Sequence, residues 1–200
     1  MPVDRSGENP LWTATPYYDD FYAIWDTFRT SSPLLTIIDP ERQADIINGM
    51  LNIYKYDGYL PEGRSGNTNG RTQGGSNADI VIADAYVKNL RGVNYHLALK
   101  AMIKNATVAP GGNSEKEGRG GLPDYNRLGY VSTDYVRAGN RTLEYAYNDF
   151  ALATVAKGLH RMGEYYRFIE QANNWQNLWR NIEHDGARGF IMPKDINGKW

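Results

Sequence analysis

Cysteine is absent from the 200 residues, which excludes disulfide scaffolds, cysteine-ligated zinc and thiol nucleophiles. The compartment stays open, because secreted proteins without disulfides exist. Neither H-x-x-x-H nor H-E-x-x-H spacing occurs among the three histidines, so histidine-based metal sites have no footing. Charge of one sign is also lacking: 22 Lys and Arg stand against 23 Asp and Glu, for a net charge of −1. A nucleic-acid footprint needs a basic surplus, so no nucleic-acid partner is expected. No apolar run reaches the length of a membrane span or a signal peptide, and the opening M-P-V-D-R-S-G-E-N-P is polar. No membrane partner is expected either. A phosphate-cradling G-x-x-x-x-G-K-[ST] is missing, and alternating strand patterns are scarce.

What is plentiful is glycine and aromatic side chains: 21 Gly, 15 Tyr and 5 Trp. Tyr and Trp present a flat apolar face with a polar edge, which suits helix packing, interfaces and sugars alike. Residues 1–16 read as an extended entry, with Pro10 and Pro16 discouraging helix. From Tyr17 to Arg29, three acids are threaded through six aromatics in thirteen residues. Carboxylates can bind sugar hydroxyls while rings stack on the pyranose face, so the mixture suits a monosaccharide subsite as well as a core.

Asp39-Pro40-Glu41 has the marks of a helix start, with Asp as N-cap and Pro at the first helical position. That helix runs to about Tyr56, and Asp57-Gly58 stops it. Leu60 to Asn77 follows as an 18-residue stretch with five glycines and no apolar period. Loops of this length in a compact domain are usually functional or disordered, and Glu62, Arg64, Gln73 and Asn77 could hydrogen-bond a sugar or simply be solvated. Ser76 or Asn77 caps the next helix, in which Asp79 and Asp84 lie about 140° apart and cannot form a paired-carboxylate site by themselves. Asn94 starts another helix, carrying His96. Val108 to Gly139 is loop-rich and includes G-R-G-G at 118–121. A last helix is expected from Glu164 to about Asn181, and Gly186 to Trp200 is turn-rich. The end at Lys199-Trp200, just after I-N-G, reads as a cut.

The organising stretch is Asn140 to Asp149, N-R-T-L-E-Y-A-Y-N-D. It places a helix-starting Asn or Thr, the carboxylate of Glu144 and two tyrosines at the mouth of an apolar, inner helix that continues to Leu159. Glu144 in a first turn has two readings. One is complementing the positive end of the helix dipole, worth about 0.3–1 kcal/mol. The other is a general acid whose pKa burial raises against that dipole. Asn105-Ala106-Thr107 and Asn140-Arg141-Thr142 match the glycosylation sequon, and Asn140 is expected to be unoccupied so close to Glu144.

Thr142 to Asp149, T-L-E-Y-A-Y-N-D, resembles the signature of glycoside hydrolase family 92, the calcium-dependent exo-acting alpha-mannosidases. Further matches run in that family's order: Y-Y-D-D-F-Y from Tyr17, W-D-T-F-R from Trp25, D-G-Y-L-P from Asp57, N-A-D-I-V-I-A-D-A-Y-V-K from Asn77, G-R-G-G-L from Gly118 and R-G-F-I-M-P from Arg188. Successive helices and long Gly-rich connections argue for an all-α domain, and the resemblance implies that 17–200 is part of an (α/α)6 toroid. The family's N-terminal β-sandwich and C-terminal half are not represented.

The resemblance further implies hydrolysis of terminal alpha-linked mannose, with alpha-1,2 the expected linkage, on glycans outside the cell. Inversion of configuration is implied, with Glu144 as general acid and Trp25 and Asp26 lining the substrate pocket; Arg64 and Asn77, from the polar Gly-rich loop, join them as substrate-binding candidates. Calcium is implied as cofactor, its ligands, like the catalytic base, falling largely in the remainder of the catalytic domain. The competing reading is a non-catalytic carbohydrate-binding remnant that lacks base and metal. The segment alone is expected to be inactive.

Overall fold

The computed structural model describes residues 23–63, 74–110 and 118–200. The expected extended segment 1–16, the acid-aromatic run Tyr17 to Tyr22, Arg64 and Gln73 lie outside them, as do the glycine-rich middles of both long loops. Eight α-helices occur among the described residues: α1 Ile24–Thr27, α2 Ser31–Ile38, α3 Pro40–Asp57, α4 Ala78–Val87, α5 Tyr95–Thr107, α6 Leu122–Leu128, α7 Ala138–Gly158 and α8 Met162–Gln171. A 3₁₀ turn, Asn174–Leu178, leads into β1 Trp179–His184 and β2 Ala187–Ile191.

Helix α3 forms where its caps direct. The Asp39 carboxylate accepts from the Arg42 N–H at 3.1 Å, Pro40 occupies the first turn, and Gly58 closes the helix at φ 92°. Asn94 likewise caps α5, accepting from the Leu97 N–H at 3.0 Å. Ile47, Ile53, Ile82, Met102, Leu152 and Val155 meet in one core shared by α3, α4, α5 and α7. Helix α7 packs against α4, α5 and α8. It is the element through which the others are joined.

The last helix expected to reach Asn181 does not. It stops at Gln171, and an antiparallel hairpin occupies 179–191, pairing Trp179 with Ile191 and His184 with Ala187. The chain is therefore mostly helical and not all-α. Asp185 and Gly186 both take positive φ, 48° and 77°, the conformation that two-residue hairpin turns demand. Gly189, at φ 86°, lies flat under the Trp179 ring, which a Cβ would strike.

Helix α7 also departs from expectation, both in where it starts and in how it is buried. It starts at Ala138, after Arg137 at φ 59°, so Glu144 sits in its second turn. Thr142 is no cap: its hydroxyl donates to the Ala138 carbonyl at 2.9 Å and accepts from the Val131 N–H at 2.9 Å. Nor is the helix buried all round. Tyr147 and Phe150 are 48% and 51% exposed, whereas Arg141, Asn148 and Asp149 are buried.

Tyr147 and Phe150 continue into a largely apolar cleft of about 320 Å³ floored by Phe28, Pro33, Ile80 and Val87. An apolar patch of this kind drives association of an isolated domain. The 200-residue chain expressed alone should elute from size exclusion as oligomers, and Phe150→Lys should move it toward monomer. A sharp monomer peak for the unmodified chain would contradict this.

Candidate active site

Two layers of polar side chains lie between α4 and α7. The deeper one centres on Arg119, which is fully buried and donates to Asp149 of α7 at 2.6 Å and to Asp79 of α4 at 3.2 Å. Tyr125 donates to the other Asp149 oxygen at 2.9 Å, and Tyr145 donates to the Gly120 carbonyl at 2.9 Å while its ring faces the guanidinium. The glycines of G-R-G-G make this possible. Gly118 and Gly121 take φ 56° and 71°, and a Cβ on Gly121 would collide with Val131.

Two carboxylates share one guanidinium, which cannot compensate both of their charges in full. Burial pushes Asp79 up to about 7 against the pull of Arg119. Asp149, with the shorter contact and the Tyr125 hydroxyl, is the better-compensated anion.

The upper layer carries the groups closest to Glu144. Asn77 opens α4, but its side chain does not cap it. The Asn77 backbone N–H donates to Glu62 Oε2 at 2.6 Å, its Nδ2 donates to Glu62 Oε1 at 3.0 Å, and its Oδ1 accepts from Asn148 Nδ2 at 3.1 Å. Asn148 Oδ1 in turn accepts from the Ser76 N–H at 2.7 Å. Asn105, the first sequon asparagine, donates to Ser76 Oγ and accepts from the Leu60 N–H. Being buried, it is no glycan acceptor.

Glu144 is half-buried, and its Oε2 is shielded from solvent without a hydrogen-bond partner. Burial raises its pKa, while the Asn77 amide and the Arg29 charge pull it down. Glu62, buried beneath, is pushed to about 8 by burial first and by the charges of Glu144 and Asp79, against the Asn77 hydrogen bonds. The general-acid reading needs a desolvated carboxyl, and this one is desolvated.

The W-D-T-F-R segment reaches the same place. Arg29 donates to the Trp25 carbonyl at 2.8 Å, Phe28 and Tyr147 rings lie 6.2 Å apart, and the Ile24 N–H donates to the Glu62 carbonyl at 3.2 Å. Trp25 is half-buried and Asp26 exposed on α1. Asn77 is fully buried with its amide committed on both sides. Arg64 is outside the described residues.

Arg119, Asp149, Tyr125 and Asn148 were given no role by sequence, and Asp79 was weighed only as a partner for Asp84. The only local sign was an arginine framed by glycines. Asp84, as its helical spacing required, is separate from Asp79 and pairs with Lys88 at 2.8 Å.

Among the described residues no group of three or more His, Cys, Asp or Glu side chains could hold a metal ion. No helix among them is long and apolar enough to cross a membrane.

The sequence profile of the glycosyl hydrolase family 92 catalytic domain matches residues 1–200. An uncharacterised secreted glycosidase from Arthroderma benhamiae is 36% identical over all of this chain and 24% of its own length. A family GH92 inverting mannosidase from Bacteroides thetaiotaomicron superposes with a TM-score of 0.80 at 32% identity, covering 89% of this chain and 23% of that one. A second GH92 alpha-mannosidase from that bacterium, in complex with mannoimidazole, gives 0.79 at 30% identity over 94% of this chain and 23% of that one. The chain thus spans about a quarter of the length of the relatives it matches.

The two aspartates of the deep layer should respond unequally. Asp149→Asn leaves a buried guanidinium without its main counter-charge and should cost about 3–5 kcal/mol. Asp79→Asn, replacing the longer-contact carboxyl whose ionisation burial disfavours, should cost less, about 1 kcal/mol. Denaturant melts of the two variants check the order. Linkage gives a second test: Glu62 and Asp79 keep protons in the folded state at pH values where the unfolded chain has lost them. Stability should therefore fall as pH rises from about 5 to about 8 and level off above. A melting temperature that rises over that interval would contradict the assignment.

Proposed function

The chain belongs to the glycosyl hydrolase family 92 catalytic domain, and from that premise we propose that the full-length protein hydrolyses terminal alpha-linked mannose from glycans with inversion of configuration. Glu144 acts as the general acid. The observation that carries this reading is the Glu144 carboxyl itself: half-buried, one oxygen desolvated and unpartnered, with its pKa raised by that burial. It belongs to the T-L-E-Y-A-Y-N-D run on a helix held rigidly by two polar layers.

In the reaction Glu144 gives its proton to the glycosidic oxygen as the bond to the anomeric carbon breaks. A second carboxylate deprotonates the water that attacks from the opposite face. In inverting enzymes the two carboxyl groups stand about 6.5–9.5 Å apart. Glu62 is not that base, because both its oxygens are taken by Asn77 and it is buried. The base and the calcium ligands come from the remainder of the catalytic domain, which completes an (α/α)6 toroid over the exposed Tyr147–Phe150 edge. Trp25 offers a ring and Asp26 a free-standing carboxylate to the sugar, with Arg64 from the adjoining loop. Asn77 serves the same pocket from beneath Glu144. Secretion is supported by the secreted relative, and alpha-1,2-linked mannose is the linkage to try first.

The competing idea, a carbohydrate-binding remnant without catalysis, is separated from this one by assay. The full-length protein should release mannose from alpha-1,2-mannobiose, and Glu144→Gln should lower the rate by about 10²-fold or more. A chelator should lower it too, with recovery on adding calcium. Binding without release by the unmodified protein would sink the hydrolase reading. Undiminished release by Glu144→Gln would sink the acid assignment.

A further inference from the structure

Helix α7 carries a buried guanidinium of its own, and among the described residues nothing answers it. Arg141 is 1% exposed, nearly as enclosed as Arg119. Arg119 meets two carboxylates, at 2.6 and 3.2 Å. Arg141 has neither an ion pair nor a side-chain hydrogen bond to any described residue, and its Nε is sealed from solvent without an acceptor. An arginine cannot shed its proton to escape burial. A charge at that depth is costly until an anion meets it.

The side chain is held at its base. The Arg141 N–H donates to the Arg137 carbonyl at 2.9 Å in the opening turn of α7. The end of the glycine-rich loop crosses the stem: a Cβ on Gly74, which takes φ 125°, would stand 2.8 Å from the Arg141 Cγ. Glu144 lies three residues on, a spacing at which opposite charges pair on a helix surface. These two make no ion pair. The nearest carboxylate in sequence is therefore not the partner, and the guanidinium needs another.

We propose that Arg141 is the docking point for an aspartate or glutamate from the remainder of the catalytic domain, which pairs with the guanidinium as Asp149 and Asp79 pair with Arg119. Two observations name this occupant. The planar fork of an arginine matches a carboxylate through two parallel hydrogen bonds. The chain spans about a quarter of the length of its relatives, so the larger part of the full-length protein lies outside it. The contact falls within a turn of Glu144, so it sets the remainder of the domain, from which the proposed mechanism takes its base, against the helix that carries the acid.

The test uses melting temperatures of the full-length protein. Arg141→Met keeps the length of the stem and removes the charge, which leaves the partner carboxylate buried and alone. It should lower the melting temperature by about 3 °C or more. Arg141→Lys keeps the charge without the fork and should lose less than half as much. If Arg141→Met leaves the melting temperature unchanged or raises it, the guanidinium has no partner in the full-length protein and the proposal fails.

The partner is found by double-variant cycles. Each aspartate and glutamate outside residues 1–200 is changed to its amide, alone and together with Arg141→Met. One of them should destabilise the protein by itself and cost little once Arg141 is gone, because the two share a single interaction. Additive losses throughout would overturn the proposal, as would coupling to Asp19 or Asp20 of this chain in place of the remainder. So would a rise in melting temperature on adding inorganic phosphate that Arg141→Met abolishes, which would mark an open anion site. Should Arg141→Met not fold, the cycles are run with Arg141→Lys. Melting is the readout, so the outcome does not depend on Glu144 acting as the acid, which mannobiose hydrolysis by Glu144→Gln tests separately.

Discussion

The buried guanidinium of Arg119 is the constraint from which the rest follows. It binds Asp79 of α4 and Asp149 of α7 with no exposure of any of the three side chains to speak of. A single charge removed from water must be answered where it lies, and the answer fixes the spacing and rotation of two helices at once. The neighbours of those aspartates are Asn77, two residues before Asp79, and Asn148, immediately before Asp149. Their amides meet at 3.1 Å. The upper layer around Glu144 is therefore registered by the lower one, and a shift at Arg119 would be felt at the candidate acid.

This explains why α7 inverts the usual pattern of a soluble helix. Its first half buries Arg141, Thr142, Asn148 and Asp149 and leaves Tyr147 and Phe150 in the open. A hydrophobic interior would have supplied more stability per residue, since paired charges seldom exceed what apolar packing gives. What the polar interior supplies instead is direction. Hydrogen bonds fix which way an amide points, and dispersion contacts do not. Ala138 and Tyr145 do pack in a small apolar cluster with Leu122, Tyr125 and Val131, but the main core shared with α3, α4 and α5 is met from Ala151 to Ala156.

The parts of this arrangement that sequence could reach are those decided locally. Asp39-Pro40 and Gly58 bound α3 because caps act on the nearest backbone groups, and Asn94 does the same for α5. The family-like runs brought Glu144 and the Trp25–Arg29 segment forward together. What could not be reached depends on residues far apart in the chain: Arg119 is separated from its carboxylates by 40 and 30 positions, and Asn77 from Asn148 by 71. Contacts of that range leave no period behind. Thr142 misled because a hydroxyl that caps one helix can, in another, bond back to its own preceding turn. The hairpin was within reach through Asp185-Gly186, yet the register irregularity between Arg180 and Glu183 spoils the alternation that would have announced its strands.

The position of Glu144 one turn deeper than its sequence suggests changes the balance of forces on it. In the first turn the helix terminus would favour the carboxylate, and that influence fades within a turn. At the seventh residue of α7 little of it remains, so burial raises the pKa with the Asn77 amide and the Arg29 charge opposing it. A carboxyl proposed to act as an acid needs a medium that keeps its proton on at rest, and at this depth in the helix burial meets little resistance from the helix terminus.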